Sequence, residues 1–349
     1  MKKKALIIIL ILFMFVSVAN NYFASNYLTI YKNYYLKQLL FYLFGFLLIM
    51  ILKKININFI IKNSLYLYLF GVLLLFLVLI FGITINGAKS WFYFKGLSFQ
   101  PSEFMKIFLI LYLYYINTFK KISNIKYIVI SFLIVLIPSI LTFLEPDTGA
   151  VIFYLIIYFV FLFSRKLEKK YYILILGSFT LLAGVFISLY IFNKNILISI
   201  LGTDMFYRFD RIKNFLNYEG YQINTALTSI SNSQLFGIKD IVYFPEGPTD
   251  FAFTLFLANF GIFGLIFLLL LYYLFFKYLY NISNNKFLIY PVFYLILFQY
   301  TINILMNIGF FPIIGITLPF ISYGGSSLIS YMILIGILLN KKVPTLDTY

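Results

Sequence analysis

Four carboxylates in this chain stand where carboxylates are costly. Asp250 and Glu246 lie in "FPEGPTDF" (Phe244 to Phe251), directly before a long apolar run. Glu103 opens another such run in "FQPSEFMK" (Phe99 to Lys106), and Asp147 sits in "LEPDTG" (Leu144 to Gly149) between two more. A carboxylate at the start of a helix can simply cap it, because exposed N–H groups and the helix dipole stabilise negative charge there. It can also serve as a general acid or base. The chain has no histidine and no cysteine. That excludes disulfides, thiolate nucleophiles, Ser-His-Asp triads, histidine-ligated zinc and histidine proton relays. Acid–base chemistry falls to carboxylates, with Lys, Arg or Tyr in support.

Spacing adds detail. Pro101 suits the first turn of a helix, where its missing N–H costs nothing. Glu103 then falls in that turn and Lys106 three residues on, which puts both on one face as a charge pair. Gln100 and Ser102 flank them. Pro146 ends one apolar stretch, and Asp147 or Thr148 can cap the next. Asp250 used only as a cap would have a low pKa and be a poor base; a neighbouring acid such as Glu246, one residue before "GPTD", would raise it. Thr249 completes that string. In "LPFISYGGSSLIS" (Leu318 to Ser330), the glycines beside Tyr323, Ser326 and Ser327 fit close helix packing or backbone N–H groups offered to an anion. Arg208 and Arg211 are three apart in "YRFDRIKNFLNYEGYQ" (Tyr207 to Gln222). They can grip a phosphate or form a solvated charge cluster.

The elements that must position these groups are membrane helices. The chain has 349 residues, 63% hydrophobic and 11% charged, with mean hydropathy +0.97; soluble domains carry about 25% charged residues. Runs of this length in lipid must be helices. Hydropathy predicts ten spans, at 5–21, 36–52, 65–85, 103–117, 127–144, 148–164, 171–192, 250–276, 287–306 and 321–339, in one membrane domain with a large loop at 193–249. The basic start "MKKKALIIILILFMFVSVAN" reads as an uncleaved first span. With the N-terminus inside, 17 of the 27 Lys and Arg fall on the cytoplasmic side and 9 of the 11 acids on the other, as the positive-inside rule requires. The net charge of +16 therefore reports orientation and gives no case for nucleic acid. Both termini are expected in the cytoplasm and all the polar strings at the outer face.

In order, "GAKSWFYF…FQPSEFMK", "EPDTG", "YRFDRIKNFLN…GYQ", "PEGPTDF…FGIFG" and "LPFISYGGSS" resemble the motifs of the shape, elongation, division and sporulation family, the FtsW/RodA/SpoVE polymerases of bacterial cell-wall synthesis. The likeness covers nearly the whole chain and the ten-span plan. It implies an all-α, polytopic peptidoglycan glycosyltransferase of the cytoplasmic membrane. Such an enzyme polymerises lipid II at the outer face, for elongation or division, beside a class B penicillin-binding protein and other elongasome or divisome membrane proteins. By the resemblance Asp250 matches the proposed catalytic aspartate, Glu103 and Lys106 the "PSExxK" pair, and Asp147 the aspartate of "QPD" or "EPD". The remaining expected substrate-binding residues are Gln100, Ser102, Arg208, Arg211, Glu246, Thr249, Tyr323, Ser326 and Ser327.

Chemistry agrees with that transfer. The acceptor hydroxyl needs a base, and the leaving pyrophosphate needs positive charge from Lys106, the loop arginines or a divalent cation, Mg or Mn, whose ligands the sequence leaves open. Two positions depart from the pattern. Pro248 replaces the histidine of "PExHTDF", and "SNSQLFGIK" replaces a glycine-rich loop. The rival readings are a flippase for a lipid-linked precursor, which would need charge deep in several spans, and a non-catalytic scaffold of a cell-wall synthase.

Overall fold

The structure, a computed structural model, describes residues 2–27, 31–85, 87–94, 96–120, 122–165, 167–201, 220–238, 246–283 and 285–340. Thirteen helices run through these residues: α1 (Lys2–Tyr27), α2 (Tyr34–Leu52), α3 (Ile57–Lys62), α4 (Ser64–Phe81), α5 (Pro101–Phe119), α6 (Asn124–Leu144), α7 (Thr148–Ser164), α8 (Lys169–Phe192), α9 (Lys194–Leu201), α10 (Tyr221–Ser231), α11 (Ala252–Tyr280), α12 (Lys286–Asn307) and α13 (Gly325–Leu339). Each of the ten predicted apolar stretches overlaps a helix over part or all of its length. Among the described residues, α1, α2, α4, α6, α11 and α12 are long and apolar enough to cross a membrane, and α7 and α13 are apolar but shorter. Leu69, Phe70, Leu73, Phe76 and Ile80 of α4 are exposed, as lipid-facing side chains must be. The protein is a helical integral membrane protein.

The first helix belongs to the core. Leu6, Leu10 and Phe13 are fully buried, and α1 packs on α2 and α11. Helix α13 lies tightly along α2 because small residues line the seam: a Cβ on Gly325 would sit 2.8 Å from the Phe41 ring, and one on Gly45 2.6 Å from Met332. The packing reading of the glycine–serine string holds at Gly325.

One expectation needs correction. The span placed at 321–339 begins only at Gly325, because residues 308–324 are not helical. Backbone carbonyls away from water must find donors, and here side chains from four helices supply them. The Ile316 carbonyl accepts from Asn303 (2.7 Å) and the Thr317 carbonyl from Gln299 (3.0 Å), both on α12. The Pro319 carbonyl accepts from the Tyr272 hydroxyl of α11 and the Phe320 carbonyl from Tyr42 of α2. Ser17 of α1 donates to the Ile321 carbonyl (2.7 Å), and Gln38 of α2 to that of Ser322 (3.0 Å).

The all-α expectation also misses a small antiparallel sheet, β1 (Ile83–Ile85), β2 (Ala88–Phe94) and β3 (Leu97–Phe99), between α4 and α5. The stretch 65–85 accordingly stops being helical at Phe81. Left-handed glycines turn the chain between the strands, at Gly87 (φ 78°) and Gly96 (φ 87°), where glycine alone is unstrained.

Helix α11 is broken at Gly261 (φ 63°, ψ −156°), a conformation essentially confined to glycine. The loop after α10 fills the break. Ile262 and Phe263 N–H donate to the carbonyls of Gln234 (3.1 Å) and Leu235 (3.3 Å), and Ile238 N–H to that of Ala258 (2.8 Å). A Cβ on Gly261 would meet Gly237 N and Leu235 O at 2.5 Å. Gly261→Ala is therefore expected to cost on the order of 3 kcal/mol, read as a lowered melting temperature in detergent. Gly177→Ala, where a Cβ meets nothing within 4 Å, should leave the melting temperature unchanged or higher.

Candidate active site at the polar end of the bundle

Helix α5 begins as its sequence dictates, with Gln100 at the N-cap and Pro101 in the first turn. Glu103 and Lys106 meet on one face, 2.7 Å apart. Lys106 is fully buried, its ammonium between the rings of Phe153 (5.3 Å) and Tyr331 (5.2 Å). Ser330 of α13 donates to Glu103 Oε2 (3.3 Å). Lys106 donates to the Tyr331 hydroxyl (3.5 Å), which in turn donates to Gln299 of α12. Burial of this kind is tolerable only for a paired, hydrogen-bonded charge.

Asp147 caps α7, its Oδ1 accepting from Ala150 N–H (3.1 Å). Its Oδ2 accepts from the Gln100 amide and the Ser102 hydroxyl, both at 2.9 Å. Burial holds the Asp147 carboxyl above its ordinary range, while the Ala150 and Ser102 donors pull the other way. Ser326 of α13 joins this cluster by accepting from Gln100 N–H (3.0 Å). Ser327 instead turns back on its own helix start, donating to the Gly324 carbonyl (3.3 Å).

A second cluster surrounds Asp250. Glu246 adopts a left-handed conformation (φ 58°), and its carbonyl accepts from Thr249 N–H (3.2 Å) and Phe251 N–H (3.0 Å). The Thr249 hydroxyl donates to Glu246 Oε2. Pro248, where histidine was the family expectation, offers its carbonyl to Tyr323 N–H (2.8 Å), a role that needs no side chain. Tyr323 stacks on Tyr34 with ring centroids 3.8 Å apart. Phe251, not Asp250, occupies the N-cap of α11. Asp250 stands one residue earlier and is partly exposed.

The two clusters flank one stretch of chain. A Cβ on Gly149, in the "EPDTG" turn, would lie 3.5 Å from the Ile314 carbonyl and 3.3 Å from the Ile316 side chain. On Gly315 (φ 75°) it would lie 3.8 Å from Asp250 Oδ2. The non-helical residues 314–316 thus lie close both to the Asp147 turn and to the Asp250 carboxylate. Gln100, Ser102, Glu103, Lys106, Asp147 and Ser326 come together on one side, and Glu246, Thr249, Asp250 and Tyr323 on the other. Arg208 and Arg211 lie outside the described residues.

Sequence reasoning passed over Gln299, Asn303, Asn307 and Glu145. The three amides recur every four residues in "FQYTINILMN", one face of a helix, and polar groups within a span signal such use. Glu145, in the turn between α6 and α7, is fully buried, and neither carboxylate oxygen has a hydrogen-bond partner. Among the described residues no three carboxylates are arranged to hold a metal ion: Glu103 is committed to Lys106, and Asp147 to its three donors. Glu103 and Asp147, so committed, do not fit a divalent cation.

A polytopic helical membrane protein whose polar groups gather at one end of the bundle, around non-helical backbone, is the class that fold and site define. Within that class the chain belongs to the FtsW/RodA/SpoVE cell cycle protein family, whose model matches residues 3–345. It is 32% identical over 344 residues to the probable peptidoglycan glycosyltransferase FtsW of Borreliella burgdorferi, covering 92% of this chain and 90% of that protein. It is 30% identical over 338 residues to the protein of the same description from Hydrogenovibrio crunogenus, covering 90% and 83%. Among solved structures it is similar to the rod shape determining protein RodA of Thermus thermophilus, with TM-score 0.69 and 25% identity over 96% of this chain and 94% of that one. It is also similar to a chain from a peptidoglycan synthase complex that coordinates polymerization and crosslinking, with TM-score 0.80 and 25% identity over 96% and 95%.

Burial, and secondarily the nearby Asp147 charge, pushes the Glu145 carboxyl from 4.5 up to about 9. The folded protein keeps a proton there that the unfolded chain releases, so this group weakens the fold progressively as pH rises from about 5 to about 9. Glu145→Gln removes that term. Its melting temperature in detergent should fall less than that of the unmodified protein between about pH 6 and about pH 9; equal slopes would contradict the assignment.

Proposed function

We propose that this protein is a peptidoglycan glycosyltransferase that polymerises lipid II into glycan strands at the outer face of the cytoplasmic membrane. The observation that carries the reading is the Asp250 carboxylate, partly exposed, outside the helix it precedes, and held between α11 and the extended residues 314–316. Asp250 accepts the proton of the acceptor sugar's 4-hydroxyl as that oxygen attacks the anomeric carbon of the donor. The anomeric C–O bond to the pyrophosphate breaks, and undecaprenyl pyrophosphate departs with the electron pair. A carboxylate base of this kind contributes on the order of 10²- to 10⁴-fold.

Glu103, Lys106, Asp147, Gln100 and Ser102 hold the other wall of the site. The Lys106 ammonium, fully buried and paired, is suited to organising that wall and not to meeting the leaving group. Charge compensation for the pyrophosphate is assigned to Arg208 and Arg211 of the 193–249 loop. Ser326 stands in that wall, Glu246, Thr249 and Tyr323 stand beside Asp250, and Ser327 is assigned to the substrate at the start of α13. The topology has ten crossings, both termini in the cytoplasm and the polar end outside, on the positive-inside argument. A class B penicillin-binding protein would crosslink the strands alongside, in elongation or division.

Asp250→Asn preserves size and removes the base. Co-reconstituted with its penicillin-binding protein and given labelled lipid II, it should lose at least about 100-fold of polymer formation while remaining inserted and partner-bound. Polymer yield within threefold of the unmodified protein would refute the role. Unmodified protein that moves lipid II across vesicles without polymerising it would favour a flippase.

A further inference from the structure

We propose that Asn303 and Asn307, on α12, are positioning residues for Asp250, gripping it by its backbone carbonyl. This rests on Asp250 being the base. Both asparagines are fully buried. The Asn303 amide donates one hydrogen bond to the Asp250 carbonyl (2.8 Å) and one to the Ile316 carbonyl (2.7 Å). The Asn307 amide donates to the same Asp250 carbonyl (3.0 Å) and to the Asn303 carbonyl one turn back (2.9 Å). Its side-chain oxygen accepts from Thr254 N–H (3.1 Å) and the Thr254 hydroxyl (2.7 Å). Thr254 is the third residue of α11, so its N–H has no partner within that helix.

One helix thus fixes three things at once. It sets the first turn of α11 through Thr254, the main chain of Asp250, and the extended segment through Ile316. Residue 315 of that segment approaches Asp250 Oδ2. Asp250 lies inside the turn closed by the Phe251 N–H on the Glu246 carbonyl, one residue before the N-cap of α11. Two charge-neutral N–H donors on its carbonyl fix that turn against α12 without contributing charge to the carboxylate. The distance from the carboxylate to a sugar hydroxyl is then set by α12, a helix that carries none of the expected catalytic residues.

The grip and the cap on Thr254 can be separated. Asn307→Asp is isosteric, keeps an acceptor for Thr254 and removes the donors to Asp250. Asn303→Leu keeps the volume and removes both donors. Thr254→Val removes the hydroxyl bond to Asn307 but leaves the Asp250 carbonyl gripped. Lipid II polymerisation is measured with each full-length variant co-reconstituted with its penicillin-binding protein, together with melting temperatures.

The expected result is a loss of kcat of about 10- to 100-fold in Asn307→Asp and Asn303→Leu. KM should stay within about threefold, since the grip moves the base and not the substrate contacts. Thr254→Val should keep its kcat. The proposal is overturned if either folded asparagine variant keeps kcat within threefold, or if Thr254→Val loses as much activity as Asn307→Asp at equal loss of melting temperature. Should Asn303→Leu fail to insert, Asn307→Asp alone decides. An unmodified protein that makes no polymer overturns the underlying activity, and the grip with it, and is told apart by that control.

Discussion

Within the non-helical chain 308–324, residues 316–322 are mostly buried among the helices of a membrane protein, and the rest of the structure is arranged to make that tolerable. An unpaired carbonyl away from water costs several kcal/mol, so an extended segment here needs a donor at nearly every residue. Ser17, Gln38, Tyr42, Tyr272, Gln299 and Asn303 provide them. These donors come from α1, α2, α11 and α12. The helices are therefore locked to one another through this backbone as well as through their apolar faces.

The site follows from the same constraint. Non-helical chain is thin where it carries glycine, and Gly315 in it and Gly149 in the facing turn let the Asp250 carboxylate and the Asp147 turn both come close to residues 314–316. The walls differ in character. On the Asp147 side, Glu103 and Lys106 neutralise each other and hydroxyls and amides saturate the aspartate, which suits a rigid scaffold. On the other side Asp250 is partly exposed, and Glu246 and Thr249 interact beside it.

Much of this was legible in the residues. Pro101, Glu103 and Lys106 announced a helix start with an internal ion pair, and Asp147 or Thr148 a cap, because both features depend on neighbours a turn away. The carboxylates stood out as the chemistry left to a chain without histidine. What stayed hidden depends on partners distant in sequence. Hydropathy reads 321–324 as part of a span because an apolar extended segment and an apolar helix look alike until Ser17, Gln38 and Tyr42 are known to face it. The amide stripe of α12 shows its periodicity in sequence but not what it grips. Asp250 and Phe251 differ in the N-cap by one residue, a distinction set by the turn at Glu246. Glu145 and Asp147 are two apart, and only packing decides which is hydrogen-bonded and which is buried alone. The sheet did leave a trace, since the Asn-Gly pair at 86–87 is a hairpin signal within a stretch read only for its charges.

Catalysis by Asp250 requires that it be reachable from outside the cell and covered by the lipid-linked substrate. The chain contains no cysteine, so Asp250→Cys carries a single reactive group. Its labelling rate by a membrane-impermeant maleimide, measured in right-side-out and inverted vesicles with and without lipid II, tests that directly. The account predicts labelling from the outer side, slowed by lipid II. Labelling only from the cytoplasmic side, or an outer-side rate that lipid II leaves unchanged, would contradict it.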